Sequence, residues 1–170
     1  ALNLLEKGEA QKNPYCMMRA YSAISHFYLR LGEYDKALDN CLKGLDYILQ
    51  LKEVRFIFPK IDEIARMTHK LQGGKEALDI YDFYLELEKS IEGPGSYIQS
   101  VVYMNIADIY MEESEFEKAK DFLTKAHDLI MDNNYRFREP RVHLLIADLH
   151  LKQGDSLSAE ADYYKAYETA

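Results

Sequence analysis

The stretch Met18–Leu45, MRAYSAISHFYLRLGEYDKALDNCLKGL, decides the fold. It reads as two helices joined by a tight turn. Met17, Met18, Tyr21, Ile24, Tyr28 and Leu31 recur at helical spacing, in a helix that opens at Asn13-Pro14. Asparagine suits the cap and proline the first helical position. Gly32 stops this helix. From Tyr34 to about Leu51 a second helix carries Ala37, Leu38, Cys41, Leu45, Ile48 and Leu49 on one side. A joint of two or three residues forces the two helices to lie antiparallel.

The same pattern returns three times. The small residue early in each second helix is Ala37, Ala77, Ala119 and Ala159, in steps of 40, 42 and 40 residues. The small residue midway along each first helix is Ser25, Ala65, Ala107 and Ala147, each preceded by isoleucine: Ile24, Ile64, Ile106 and Ile146. Three residues further come Tyr28, Thr68, Tyr110 and His150, and the turn positions are Gly32, Gln72, Ser114 and Gly154. Helices that cross closely need a small residue at the crossing and a large one nearby to fill the groove. A lone hairpin has too little core, so neighbouring hairpins stack and share one.

The resulting layout is one continuous array. Residues 1–13 read as the remnant second helix of a preceding unit, followed by repeats at 14–52, 53–92, 96–134 and 138–170. Pro59 falls in the opening turns of its helix, Gly73-Gly74 makes the second turn, and Glu92-Gly93-Pro94-Gly95-Ser96 is the strongest break. The third turn, Glu113-Ser114-Glu115, lacks glycine, and the fourth unit opens at Glu139-Pro140 and turns at Gly154-Asp155. A chain that starts at Ala1 is expected to be processed or to be an excised piece of a longer protein.

Composition narrows the function. The chain has 170 residues, 48% hydrophobic and 29% charged, enough for one sizeable domain. With 21 basic against 29 acidic residues its net charge is −8, and it shows none of the concentrated basic faces that nucleic-acid binding requires. No apolar run approaches the roughly 20 residues that span a bilayer, and no signal peptide is legible. A cytoplasmic setting is expected, with a periplasmic sensor domain as the alternative. In an antiparallel hairpin turning at Gly32, Cys16 lies roughly 10 Å along the axis from the residue opposite Cys41, too far for a disulfide. Two free thiols are expected. There is no glycine-rich phosphate loop, nucleophile elbow or catalytic dyad at recognisable spacing, so the chain is expected not to be an enzyme and to need no cofactor. Lys75–Asp79 and Glu112–Lys118 read as solvated charged faces.

The columns resemble the tetratricopeptide repeat family, whose pattern is a large residue, an aliphatic–small pair, an aromatic, then glycine, alanine and a large residue. The first unit matches as Tyr21, Ile24-Ser25, Tyr28, Gly32 and Ala37. The third matches as Tyr103, Ile106-Ala107, Tyr110, Ala119, Leu123 and Ala126. The fourth keeps Ile146-Ala147, Gly154, Ala159, Tyr163 and Ala166, with His143 and His150 in place of aromatics. The second is weakest, with Ile61, Thr68 and Gln72. The resemblance covers about residues 14–170. It implies an all-α, right-handed superhelical array of antiparallel helix hairpins, an α-solenoid. The period exceeds the usual ~34 residues by about six to eight, as in long-period arrays of bacterial signalling and regulatory proteins. The resemblance also implies a protein- or peptide-binding scaffold within a larger signalling or transcription-regulatory protein, or alternatively a spacer that dimerises.

In the family the first helices line a concave groove. Carried over, the first unit offers Arg19, Ser22, His26 and Leu29, and the second Asp62, Arg66 and His69. The third offers Met104, Asn105, Asp108 and Met111, and the fourth Arg141, Leu144, Asp148 and Leu151. A carboxylate clamp of the family kind is not expected, because Arg19, Arg66 and Arg141 are scattered and Asp62, Asp108 and Asp148 repel anions. His143 and His150 occupy packing columns and read as core residues. His26 and His69 lie on neighbouring first helices without an obvious cysteine or carboxylate to complete a metal site. The open end carries Tyr163, Tyr164 and Tyr167, the candidate surface for self-association.

Overall fold

The computed structural model describes residues 5–6, 10, 13–52, 56–91 and 97–170, with backbone only at 90 and 91. The expected remnant at 1–13 and the break at 92–96 fall largely outside the described residues. Regular structure among the described residues is helical throughout. The helices pair in chain order as hairpins: α1 (Pro14–Arg30) with α2 (Tyr34–Leu51), α3 (Ile57–Gln72) with α4 (Gly74–Ile91), α5 (Tyr97–Glu112) with α6 (Phe116–Asp132), and α7 (Glu139–Lys152) with α8 (Ser156–Glu168). This is an all-α solenoid of helix hairpins. The chain forms two compact units, Ala1–Tyr84 and Leu85–Ala170.

Local chemistry sets the helix ends. The Asn13 side chain accepts from the Tyr15 and Cys16 amides at 3.1 and 3.2 Å, and Pro14 is the first helical residue. Asp155 caps α8 through the Ser158 amide at 3.0 Å. Three hairpin turns share one closing geometry. The Glu33 amide donates to the Tyr28 carbonyl at 3.0 Å, Glu115 to Tyr110 at 2.8 Å and Asp155 to His150 at 2.9 Å. The residue before each donor is left-handed: Gly32 at φ +74°, Ser114 at +63° and Gly154 at +84°. The second turn differs from expectation. Gly73 alone makes the joint, at φ +119°, and Gly74 already belongs to α4.

The small-residue columns are where helices touch. Ala37, Ala65, Ala77, Ala107, Ala119 and Ala147 are all fully buried. Ser25 is buried too, and its hydroxyl donates to the Ala37 carbonyl at 2.9 Å, joining the two small columns of the first hairpin. In the second unit, Val142, Leu145 and Leu149 of α7 fill the groove between α5 and α6, against Met104, Met111 and Leu123. Burying a side chain such as Leu123 contributes about 1.5–3 kcal/mol. In the first unit, Met67 of α3 packs on Ala37 and Cys41, flanked by Tyr28, Leu29 and Ile64. At the ends of the apolar stripes, Leu31 and Leu49 are exposed rather than packed.

Candidate functional site

In the first unit, Arg19 is exposed, its guanidinium 5.9 Å from the Tyr15 ring centroid. The Ser22 hydroxyl is turned back onto its own helix, donating to the Met18 carbonyl at 2.9 Å. His26 is exposed and bridges two helices: Nδ1 lies 2.8 Å from the Ser22 carbonyl and Nε2 2.9 Å from Oε1 of Glu63. Asp62 accepts from the Tyr81 hydroxyl at 2.8 Å and pairs with Nε of Arg66 at 3.2 Å. His69 is half-buried on the last turn of α3, and Leu29 packs into the core.

Behind His26 lies a buried polar group that the sequence pattern did not disclose. Lys60 and Glu63 of α3 are 6% and 9% exposed and pair at 2.5 Å. The same carboxylate oxygen accepts from the Cys41 thiol at 3.2 Å. Burial, reinforced by the Glu63 carboxylate against the opposing pull of Lys60, pushes the Cys41 thiol up to about 12. Cys41 therefore stays a thiol at neutral pH, a structural donor without nucleophilic character. Glu63 does supply a carboxylate beside His26, contrary to the sequence expectation. Among the described residues, however, no three His, Cys, Asp or Glu side chains stand as a set that holds a metal ion. Cys16 is half-buried, and both cysteines are free thiols. The column alignment holds the signal for this group: Lys60 and Glu63 occupy the positions of Val142 and Leu145 in α7, so both fall on a packed face.

The second unit divides its candidates by depth. Met104 and Met111 are 0% and 4% exposed and belong to the core. They leave the proposed groove, because α7 lies over the side of α5 that carries them. Asn105 and Asp108 remain half-buried at the edge. Asp108 faces Nη2 of Arg141 at 3.9 Å. Burial pushes its carboxyl up to about 6; Glu112 and Asp148 push the same way, and Arg141 and Lys152 oppose. Asp148 accepts from the Tyr163 hydroxyl at 2.6 Å. Beside these carboxylates Leu144 and Leu151 are 44% and 52% exposed. Arg66 and Arg141 each stand beside an aspartate, so neither is free to converge on an anion.

Of the two histidines of the fourth hairpin, His143 is buried as read, whereas His150 is half-buried at an ion pair rather than in the core. His143 is 8% exposed, 5.6 Å centroid to centroid from the His127 ring and 4.0 Å from Glu139. Nδ1 of His150 meets Oδ2 of Asp162 at 3.0 Å across α7 and α8.

An array of stacked helix hairpins with a mixed polar and apolar first-helix face defines a class, the interaction scaffolds. A sequence model described as tetratricopeptide repeat matches residues 19–48, 101–129 and 140–170. The chain belongs to the tetratricopeptide repeat family, whose repeats mediate protein–protein interaction and are typically non-catalytic. The hairpin of α3 and α4 lies outside the matched stretches. No curated protein matches the chain. Among solved structures it is similar to the crystal structure of BtubC (BKLC) from P. vanneervenii, with a TM-score of 0.70 and 20% identity. That match covers 92% of this chain and 64% of BtubC, so the chain spans less than two thirds of that protein's length. At this identity the likeness speaks for the fold alone.

Proposed function

We propose that this chain is a protein- or peptide-binding scaffold within a larger bacterial signalling or transcription-regulatory protein, and that its ligand lies along the first helices. The observation that carries this reading is the edge of the second unit. There Asp108 and Asp148 stand beside the exposed Leu144 and Leu151, a combination suited to a segment with basic and apolar side chains. Asn105 and Arg141 border the same edge. In the first unit Arg19, Ser22, His26, Asp62, Arg66 and His69 offer a more polar surface of both charge signs. The resemblance to long-period arrays of bacterial signalling and regulatory proteins supports the regulatory context.

A peptide array screened with the chain tests the reading. Retained sequences should combine Lys or Arg with aliphatic residues. Binding should weaken about tenfold in Leu144→Ala combined with Asp148→Asn, in the range expected for losing an apolar anchor and a charged partner. An array with no retained peptides, or retention indifferent to those substitutions, would sink it.

The exposed Tyr163, Tyr164 and Tyr167 favour a second reading, a dimerising spacer. A dimer by size exclusion with light scattering that Tyr167→Glu breaks would support it.

A further inference from the structure

The junction between α6 and α7 carries an aromatic cluster on the surface of the second unit. Tyr97 opens α5, and Tyr135 and Phe137 stand on either side of Arg136 at the 3-10 turn Arg136–Arg138 that leads into α7. The three ring centroids lie 6.3, 6.0 and 6.4 Å from one another. Tyr97 and Phe137 are nonetheless 43% and 66% exposed. Backbone hydrogen bonds hold the turn: the Tyr135 amide donates to the Ile130 carbonyl at 2.9 Å and the Arg138 amide to the Tyr135 carbonyl at 2.8 Å.

Arg138 lies against these rings. Its guanidinium carbon is 5.6 Å from the Tyr97 centroid and 5.1 Å from that of Phe137. The side chain is half-buried, and its Nε is buried without a hydrogen-bond partner. The adjacent Glu139 carboxylate faces His143 at 4.0 Å, and among the described residues no carboxylate pairs with Arg138. The repeat marks this cation as unusual. Tyr97 and Phe137 are 40 residues apart, the step from Ala107 to Ala147, and so share a column. In the next column the third unit has Ile98 where the fourth has Arg138. Packing at this position is met by an aliphatic side chain. A cation half-stripped of water and without a counter-ion costs stability there, and stacking on the rings returns only part of it.

An anion would complete the arrangement. The rings cover the faces of the guanidinium, so an acceptor approaches in its plane. Burial without a partner is confined to Nε, which leaves the Nη ends to meet it. A carboxylate fits that edge, and an apolar side chain beside it would cover the exposed face of Phe137. The charge of −8 on the whole chain repels polyanions such as nucleic acid or an anionic membrane, so an isolated carboxylate on a peptide is the better match. We propose that Arg138 and Phe137 form a docking point for an acidic–apolar segment of a partner protein, its carboxylate on Arg138 and its apolar side chain on Phe137. Both side chains are already held in place, so little ordering opposes the capture. This surface asks for the opposite charge from the first-helix edge proposed above, and neither reading rests on the other.

The probe is a fluorescein-labelled peptide with a Glu-Glu-Leu-Phe core in a Gly-Ser frame, added to the intact chain and followed by fluorescence anisotropy. Saturable binding is expected, and it should weaken as salt rises. A Gln-Gln-Leu-Phe core and the variant Arg138→Gln should each lower affinity about tenfold, and Phe137→Ala about threefold. Arg30→Gln, which removes an exposed cation of the first unit, should leave it unchanged, as should Leu144→Ala combined with Asp148→Asn. Arg138→Met should lose the binding without a fall in melting temperature. Absence of saturable binding would overturn the assignment, as would equal affinity for the Gln core or in Arg138→Gln. A lowered melting temperature in Arg138→Met would assign the stack to the fold and overturn it too. Binding that emerges only in Glu92→Gln would give the guanidinium to the chain's own carboxylate, and a concentration-dependent dimer broken by Arg138→Gln would give it to a second copy; either result overturns the proposal.

Discussion

Nδ1 of His143 is buried and meets no hydrogen-bond partner. Burial lowers the pKa of this imidazole, His127 and Lys165 lower it further, and Glu139 and Asp162 oppose. A histidine whose folded pKa lies below its unfolded 6.5 takes up protons preferentially when unfolded. Its contribution is thus in place above pH 6.5 and is lost as the pH falls below that value. The column that holds His143 holds Tyr21 and Tyr103 in the first and third units, and that much is plain in the sequence. His143→Phe should raise stability by about 1 kcal/mol at pH 7.5, since an unsatisfied buried polar atom disappears. The difference should widen at pH 5.5. Urea denaturation at both pH values checks this, and parallel losses in wild type and variant would refute it. Cys41 is the opposite case: its spacing sets it on the apolar side of α2, unlike Cys16, but does not show what covers it. Their difference arises from α3, whose Lys60 and Glu63 close over Cys41. A thiol reagent should label one cysteine of the native chain quickly and Cys41 only on unfolding. Rapid labelling of both would mean that α3 does not seal that site.

At the scale of elements, the turn columns were legible and the buried charges were not. Gly32, Ser114 and Gly154 align in sequence, and the structure gives all three a left-handed backbone. Only glycine adopts that region without a penalty, which runs to roughly 1–2 kcal/mol for other residues. Gly154→Ala should therefore cost about 1 kcal/mol. Ser114→Gly should gain about 0.5–1 kcal/mol, the strain relieved outweighing the added freedom of the unfolded chain. Thermal melts of the pair should move in opposite directions. Helical periodicity failed at α3 because an amphipathic reading sorts lysine and glutamate outward, whereas Lys60 and Glu63 point into the first unit. Only comparison with Val142 and Leu145 places them on a packed face. Lys60→Met alone leaves the buried Glu63 carboxylate with only the Cys41 thiol and His26 as partners and should cost about 3 kcal/mol. Lys60→Val with Glu63→Leu borrows the α7 solution and should return to wild-type stability or above it. A double variant worse than the single one would show that the ion pair supplies net stability.

For the molecule as a whole, the repeat register told which columns share the first-helix face, but not how deep each residue lies on it. Depth depends on what the next hairpin covers: α7 takes Met104 and Met111 into the core and leaves Asp108 at the edge. That placement makes Asp108 a reporter for ligand at this edge. Its carboxyl titrates at about 6 when folded, against 3.8 unfolded. Between those values the folded chain binds the extra proton, so this group's contribution to stability falls as the pH rises from 3.8 toward 6. Above 6 the carboxylate stands ionised and half-buried, with Arg141 at 3.9 Å as partial compensation. A basic side chain arriving there would complete the compensation and would be favoured only once Asp108 has ionised. Affinity for a basic–apolar peptide should accordingly rise between pH 5 and pH 7. In Asp108→Asn the same titration should be flat and weaker at pH 7, while the apo protein melts at a higher temperature than wild type at that pH. Calorimetric titrations of both proteins at three pH values across that interval, alongside their melts, separate ligand effect from fold effect. A flat profile in wild type would place the cation away from Asp108 and leave the first-helix edge to its apolar anchors, Leu144 and Leu151.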